Sequence, residues 1–156
     1  MLRTLLRRLL HMLTYLSGEG SWELHSHEKI VLDAVVDHLD ERLRRLIREQ
    51  LEQSFFVERI PDGRINVFRF YRMNDELVVP DAEFDDLLFR IHLMVNGRKQ
   101  IAHVTFYKGQ VFSVEMKKRG RFYKGADLKV EQVTLGNPKQ TYTRAIDRLE
   151  HGSEGA

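Results

Sequence analysis

The dipeptide Asn96-Gly97, set between two runs of alternating apolar and polar residues, is the tightest constraint in the chain. Asn and Gly accept the left-handed backbone that a two-residue hairpin turn demands. That turn places Val95 opposite Arg98, Leu93 opposite Gln100, Ile91 opposite Ala102 and Phe89 opposite Val104. One face of the pair is then apolar, and the other carries Arg90, His92, His103 and Thr105. A third strand follows a second turn near Lys108-Gly109. A three-residue loop ending at Gly109 keeps the apolar faces together, pairing Val104 with Phe112 and Ala102 with Val114. It predicts Ser113 across from His103, with Glu115 on the diagonal.

The segments before the meander obey two different periods. Residues 2–16 are amphipathic: Leu2, Leu5, Leu6, Leu9, Met12, Leu13 and Leu16 follow helical spacing, with Arg3, Arg7, Arg8 and His11 opposite or flanking. Gly18 and Gly20 end that helix and form a joint. A second helical region runs from a Ser26 N-cap to about Gln53, with a break expected near His38–Asp40, where Asp40 can cap a new helix. The period then changes to two. Residues 54–60 and 64–72 read as strands joined by Pro61-Asp62-Gly63, with Phe56, Phe68 and Phe70 on one face and Phe55, Val57, Ile65 and Val67 on the other. A short helix at 81–87, a strand at 127–134 and a helix near 140–150 complete the expectation.

Helices first and a contiguous antiparallel sheet afterwards predict an α+β fold, its N-terminal helices packed on one face of a hairpin plus a three-stranded meander. The division expected is an appended basic helix and glycine joint at 1–20, one domain at 21–150 and a disordered tail at 151–156. A chain of 156 residues, 42% hydrophobic and 31% charged, is long enough for a conventional core and too apolar for wholesale disorder. It has no cysteine, which excludes disulfides, thiolate metal sites and a cysteine nucleophile, and fits a cytoplasmic setting. Arginines inside the first apolar stretch make it a poor secretory signal. The order of elements is similar to that of many small adaptors, secretion chaperones and toxin-neutralising proteins. Fold alone does not fix function.

The formal charge is only +2, but its distribution is uneven. Residues 73–89 hold six acids and no Lys or Arg, while 90–126 hold nine bases and one acid. Separated acidic and basic surfaces suit electrostatic recognition of a partner protein. A non-enzymatic interaction module (an adaptor, chaperone-like or inhibitor protein) is therefore the preferred function. Lys117, Lys118, Arg119, Arg121, Phe122 and Tyr123 are the candidate docking residues, because Arg and aromatics dominate binding hot spots. Glu83, Asp85 and Asp86 form a second docking surface.

Two alternatives compete. Bases interleaved with aromatics at 117–124 suit RNA or single-stranded nucleic acid, where cations neutralise phosphates and rings stack on bases. Arg90, His92, His103 and Glu115 could instead make a small-molecule or acid–base site on the polar sheet face. His25 and His27 form an H-x-H pair, but zinc needs three or four ligands, and no further ligand stands at motif spacing. No metal or cofactor is expected. The leucines of 2–16 need burial, and protein, either the same domain or a second copy, is expected to cover them rather than a membrane.

Overall fold

The computed structural model describes residues 2–17, 19–80 and 87–136. The expected helices at 81–87 and 140–150, the 151–156 tail, and Glu83, Asp85 and Asp86 therefore lie wholly or almost wholly outside the described residues. Three helices precede most of the sheet: α1 (Leu2–Leu16), α2 (Ser26–His38) and α3 (Glu41–Leu51). The strands are β1 (Gly20–Ser21), β2 (Phe55–Arg59), β3 (Ile65–Phe70), β4 (Leu88–Val95), β5 (Arg98–Tyr107), β6 (Gln110–Glu115) and β7 (Leu128–Leu135). They form one antiparallel sheet in the order β1-β2-β3-β6-β5-β4-β7. The fold is α+β with an open sheet.

The β4–β5 register is the one that Asn96-Gly97 dictates, with all four expected pairs in place. Asn96 and Gly97 both take positive φ, as such a turn requires. At the next turn the chain departs from expectation. Lys108 and Gly109 are both left-handed and Tyr107 pairs with Gln110, so the loop has two residues, not three. A bulge opposite Phe106 absorbs Phe112 and restores the apolar register, pairing Val104 with Val114. His103 consequently faces Glu115, and Ser113 faces Thr105.

The β2–β3 hairpin also differs. Val57 pairs with Phe68 and Phe55 with Phe70, so these four share a face, while Phe56, Ile65 and Val67 occupy the other. The connection runs from Ile60, whose N–H donates to the Ile65 carbonyl, and its length sets that parity.

α2 and α3 cover one sheet face. Val31, Leu32, Val35, Val36 and Ile47 are buried against Val57, Phe68, Phe89, Ile91, Leu93, Val104 and Phe106. Each such side chain contributes about 1.5–3 kcal/mol on leaving water. The break falls where expected: Leu39 is extended, and the Asp40 carboxylate caps α3 by accepting from the Leu43 N–H at 2.9 Å. The N-cap of α2 is His25, one residue earlier than Ser26. α1 approaches the other side of the sheet, where His11 stacks on Phe56. Its leucine stripe is not folded onto the domain: Leu6, Leu9, Leu13 and Leu16 are all exposed.

One polar side chain fastens the far end of the helical layer. Gln50 is fully buried in α3. Its amide donates to the carbonyls of Leu77 and Gly109, both at 2.7 Å, and its Oε1 accepts from the Val111 N–H at 3.3 Å. Gly109 must be glycine twice over, since its φ is +69° and a Cβ would lie 2.0 Å from the Val79 carbonyl oxygen. Gln50→Leu strands the Leu77 carbonyl and the Val111 N–H and leaves the Gly109 carbonyl with only its bond from the Val79 N–H, and should cost about 3 kcal/mol in chemical denaturation. A loss below about 1 kcal/mol would mean that water or neighbouring groups replace the side chain.

Candidate functional site

Glu28, in the first turn of α2, is fully buried. A buried carboxylate must be paired or hydrogen-bonded, and this one is both. Its oxygens accept from Arg59 Nε at 3.0 Å, Arg59 Nη2 at 2.8 Å, Asn66 Nδ2 at 2.6 Å and the His25 N–H at 2.8 Å. Arg59 Nη1 continues to Ser21 Oγ at 2.8 Å. A single carboxylate thus joins α2 to β1, β2 and β3. The helix N-terminus stands at a fixed height above the sheet.

Around that node lies a cavity of about 860 Å³, lined by residues that the sequence keeps far apart. His25 and His27 come from the start of α2, Arg59 from β2, and Asp62 and Gly63 from the hairpin loop. Arg119, Arg121 and Lys124 come from the basic loop. The Gly120 N–H donates to the Gly63 carbonyl at 3.1 Å, which holds the two loops together. Asp62 is engaged by Arg64: burial would raise its pKa, but the backbone and side-chain hydrogen bonds from Arg64 outweigh that and hold the carboxyl below its usual range. Arg121 and Lys124 make no ion pair among the described residues.

His27 is buried, and its Nε2 has no hydrogen-bond partner among the described residues. Its ring lies against that of Tyr123, with centroids 5.1 Å apart. Burial depresses the pKa of both histidines, and Arg59 lowers that of His25 further. Both are thus neutral at pH 7. Ligand atoms of His25, His27 and Glu28 lie within 4.8 Å of one another. A divalent cation does not suit them, because Glu28 already accepts four hydrogen bonds and the Arg59 guanidinium sits beside it. Excess positive charge and the first-turn amides of α2 suit an anion instead.

The basic loop is divided by the fold. Tyr123 is not a surface residue: it is buried, its hydroxyl donates to Gln100 Oε1 at 2.8 Å and accepts from the Lys118 N–H at 3.1 Å. Arg119 and Arg121 are exposed at the cavity, and Phe122 is partly exposed. Lys117 instead borders a second groove, of about 900 Å³, on the opposite face of the sheet. That groove is lined by His92, Ile101, His103, Glu115 and Gln132. Cross-strand pairing sets Arg90, His103 and Glu115 in one row. Burial lowers the pKa of His103, opposed by Glu115 and reinforced by Arg90.

Sequence reasoning missed Glu28, Arg59 and Asn66, because patterning places charged residues outside. The H-x-H pair was the only available signal, and it does not reveal the basic loop beside it. No family model matches the chain, and comparison with curated proteins and with solved structures finds no match either.

Two outcomes follow. Arg59→Leu leaves Glu28 buried without its counter-ion and should cost about 3–5 kcal/mol, much of it recovered in the double variant Glu28→Leu/Arg59→Leu. A similar loss in both would show that the pair matters by packing alone. His25, His27 and His103 bind protons more weakly when folded than the unfolded value of about 6.5. Their stabilisation is therefore complete above that pH and is lost as pH falls through the folded values. Tm should drop between about pH 7 and pH 5, and drop less in His27→Gln. A Tm that is flat or rising on acidification contradicts the depressed histidines.

Proposed function

We propose that the chain is a non-enzymatic interaction module that takes an acidic segment of a partner protein at the cavity between the α2 N-terminus and the basic loop. The observation that carries this is the convergence of Arg119, Arg121 and Lys124 on one concave surface, beside a buried imidazole nitrogen without a hydrogen-bond partner among the described residues. Arginine forks bind carboxylates in bidentate fashion. A cytoplasmic setting is part of this proposal, in keeping with a chain that contains no cysteine.

The nucleic-acid reading has less support. Stacking needs exposed rings, and Tyr123 and Phe106 are both buried, which leaves Phe122 as the one accessible aromatic of the 117–124 loop. A second reading rests on the outer groove: a small carboxylic acid would lie there beside His103, with Lys99 and Lys117 as its cations. It requires the His103 ring resonances to move on titration with citrate, and unmoved resonances reject it.

Hexaglutamate is a suitable probe for the main proposal. Titrated calorimetrically at low salt, it should bind, and Arg119→Ala/Arg121→Ala should weaken binding at least about tenfold, or 1.4 kcal/mol, without lowering Tm. Both side chains are solvent-exposed, so their loss leaves the core intact. Equal affinity in the variant removes this loop from the account. Tighter binding of oligouridylate than of hexaglutamate, lost in the same variant, transfers the site to nucleic acid.

A further inference from the structure

α1 turns His11 inward. His11, on the polar side of the helix, is buried, its ring stacked on Phe56 at 4.6 Å and edge-on to Tyr71 at 5.5 Å. The apolar side faces away from the domain. Leu6, Leu9, Leu10, Leu13 and Leu16 are exposed, from 49% at Leu9 to 72% at Leu16, while Met12 borders a cleft shared with Trp22 and Tyr71. Single exposed leucines are ordinary, but five on one 15-residue helix form a contiguous patch that needs an occupant.

The breadth of the patch and the charge of the helix select that occupant. Leu6, Leu9, Leu10 and Leu13 fill a stripe wider than the two positions per heptad of a helix-pair seam. The helix carries Arg3, Arg7 and Arg8 and has no acid. Two copies joined through this face would collect six arginines with no carboxylate from either helix to offset them. An anionic lipid surface supplies an apolar layer and negative charge together. Fifteen residues are too few to cross a bilayer, and no helix among the described residues is long and apolar enough to do so. A broad apolar stripe with flanking cations suits a helix that lies in the plane of the interface.

We propose that α1 docks the chain onto an anionic membrane surface, its leucines in the acyl boundary and the domain held below it through the His11–Phe56 stack. This docking site is separate from the basic cavity and does not depend on it. The test is co-sedimentation of the full chain with vesicles of phosphatidylcholine alone and of phosphatidylcholine mixed with phosphatidylglycerol. At least about tenfold stronger retention on the mixed vesicles is expected. Leu9→Glu/Leu13→Glu should abolish it without lowering Tm, since both side chains are exposed. Arg3→Gln/Arg8→Gln should reduce the preference for anionic vesicles. Equal retention on both vesicles, or retention of the glutamate variant, overturns the proposal. So does a dimer in solution that Leu9→Glu/Leu13→Glu converts to monomer while vesicles retain neither form, which assigns the face to a second copy.

Discussion

The buried Glu28–Arg59 pair is the interaction on which the rest of the structure depends. Apolar burial between α2 and the sheet is strong but undirected, and it would tolerate a helix shifted or rotated by a fraction of a turn. A carboxylate with no exposure tolerates far less, because each lost hydrogen bond leaves a charged atom unsatisfied. Four donors from three elements meet Glu28, and Arg59 passes the connection to Ser21 in β1. That geometry fixes the N-terminus of α2 over β2 and β3, so it also fixes where His25 and His27 stand. The desolvation cost is large, and the return is positional definition as much as stability.

Local chemistry was legible in the sequence, and long-range polar chemistry was not. Asn96-Gly97 determined a register over four pairs because its backbone requirement is carried by two adjacent residues. Asp40 marked a helix start for the same reason. Lys108-Gly109 misled, because a lysine in the left-handed region is uncommon and the compensating bulge at Phe112 has no signature of its own. The β2–β3 faces came out reversed because both are rich in Phe, Val and Ile, so the hydrophobic pattern could not choose between two parities. Glu28 and Arg59 stand 31 residues apart, and nothing local in either distinguishes it from a solvated surface charge.

The site divides in the same way. Its cationic residues were visible as a cluster, since Arg119, Arg121 and Lys124 adjoin in sequence. Its depth was not, because the cavity walls come from the α2 N-terminus and the β2–β3 loop. Tyr123 shows the difference well: composition makes it a docking residue, whereas its hydroxyl bonds to Gln100 and Lys118 make it the hinge post that holds the loop against the sheet. The Arg90–His103–Glu115 row on the other face was half legible. Its members were named from alternation alone, but the direct opposition of His103 and Glu115 depended on a bulge.

The two surfaces meet at Ser17 and residues 19–21. Ser17 and Glu19 line the basic cavity, the Arg59 N–H donates to the Glu19 carbonyl at 2.7 Å, and Ser21 Oγ accepts from the same arginine's side chain. Gly20 lies so close to Phe56 that a Cβ would fall 2.2 Å from the ring, the ring on which His11 stacks. Residues 19–21 therefore lie between Arg59 on one side and Phe56 on the other. Phe56 and Arg59 are neighbours on β2 whose side chains emerge on opposite faces, three positions apart. The short strand β1 thus packs at once against Phe56, on which α1 rests, and against Arg59, which lines the cationic cavity.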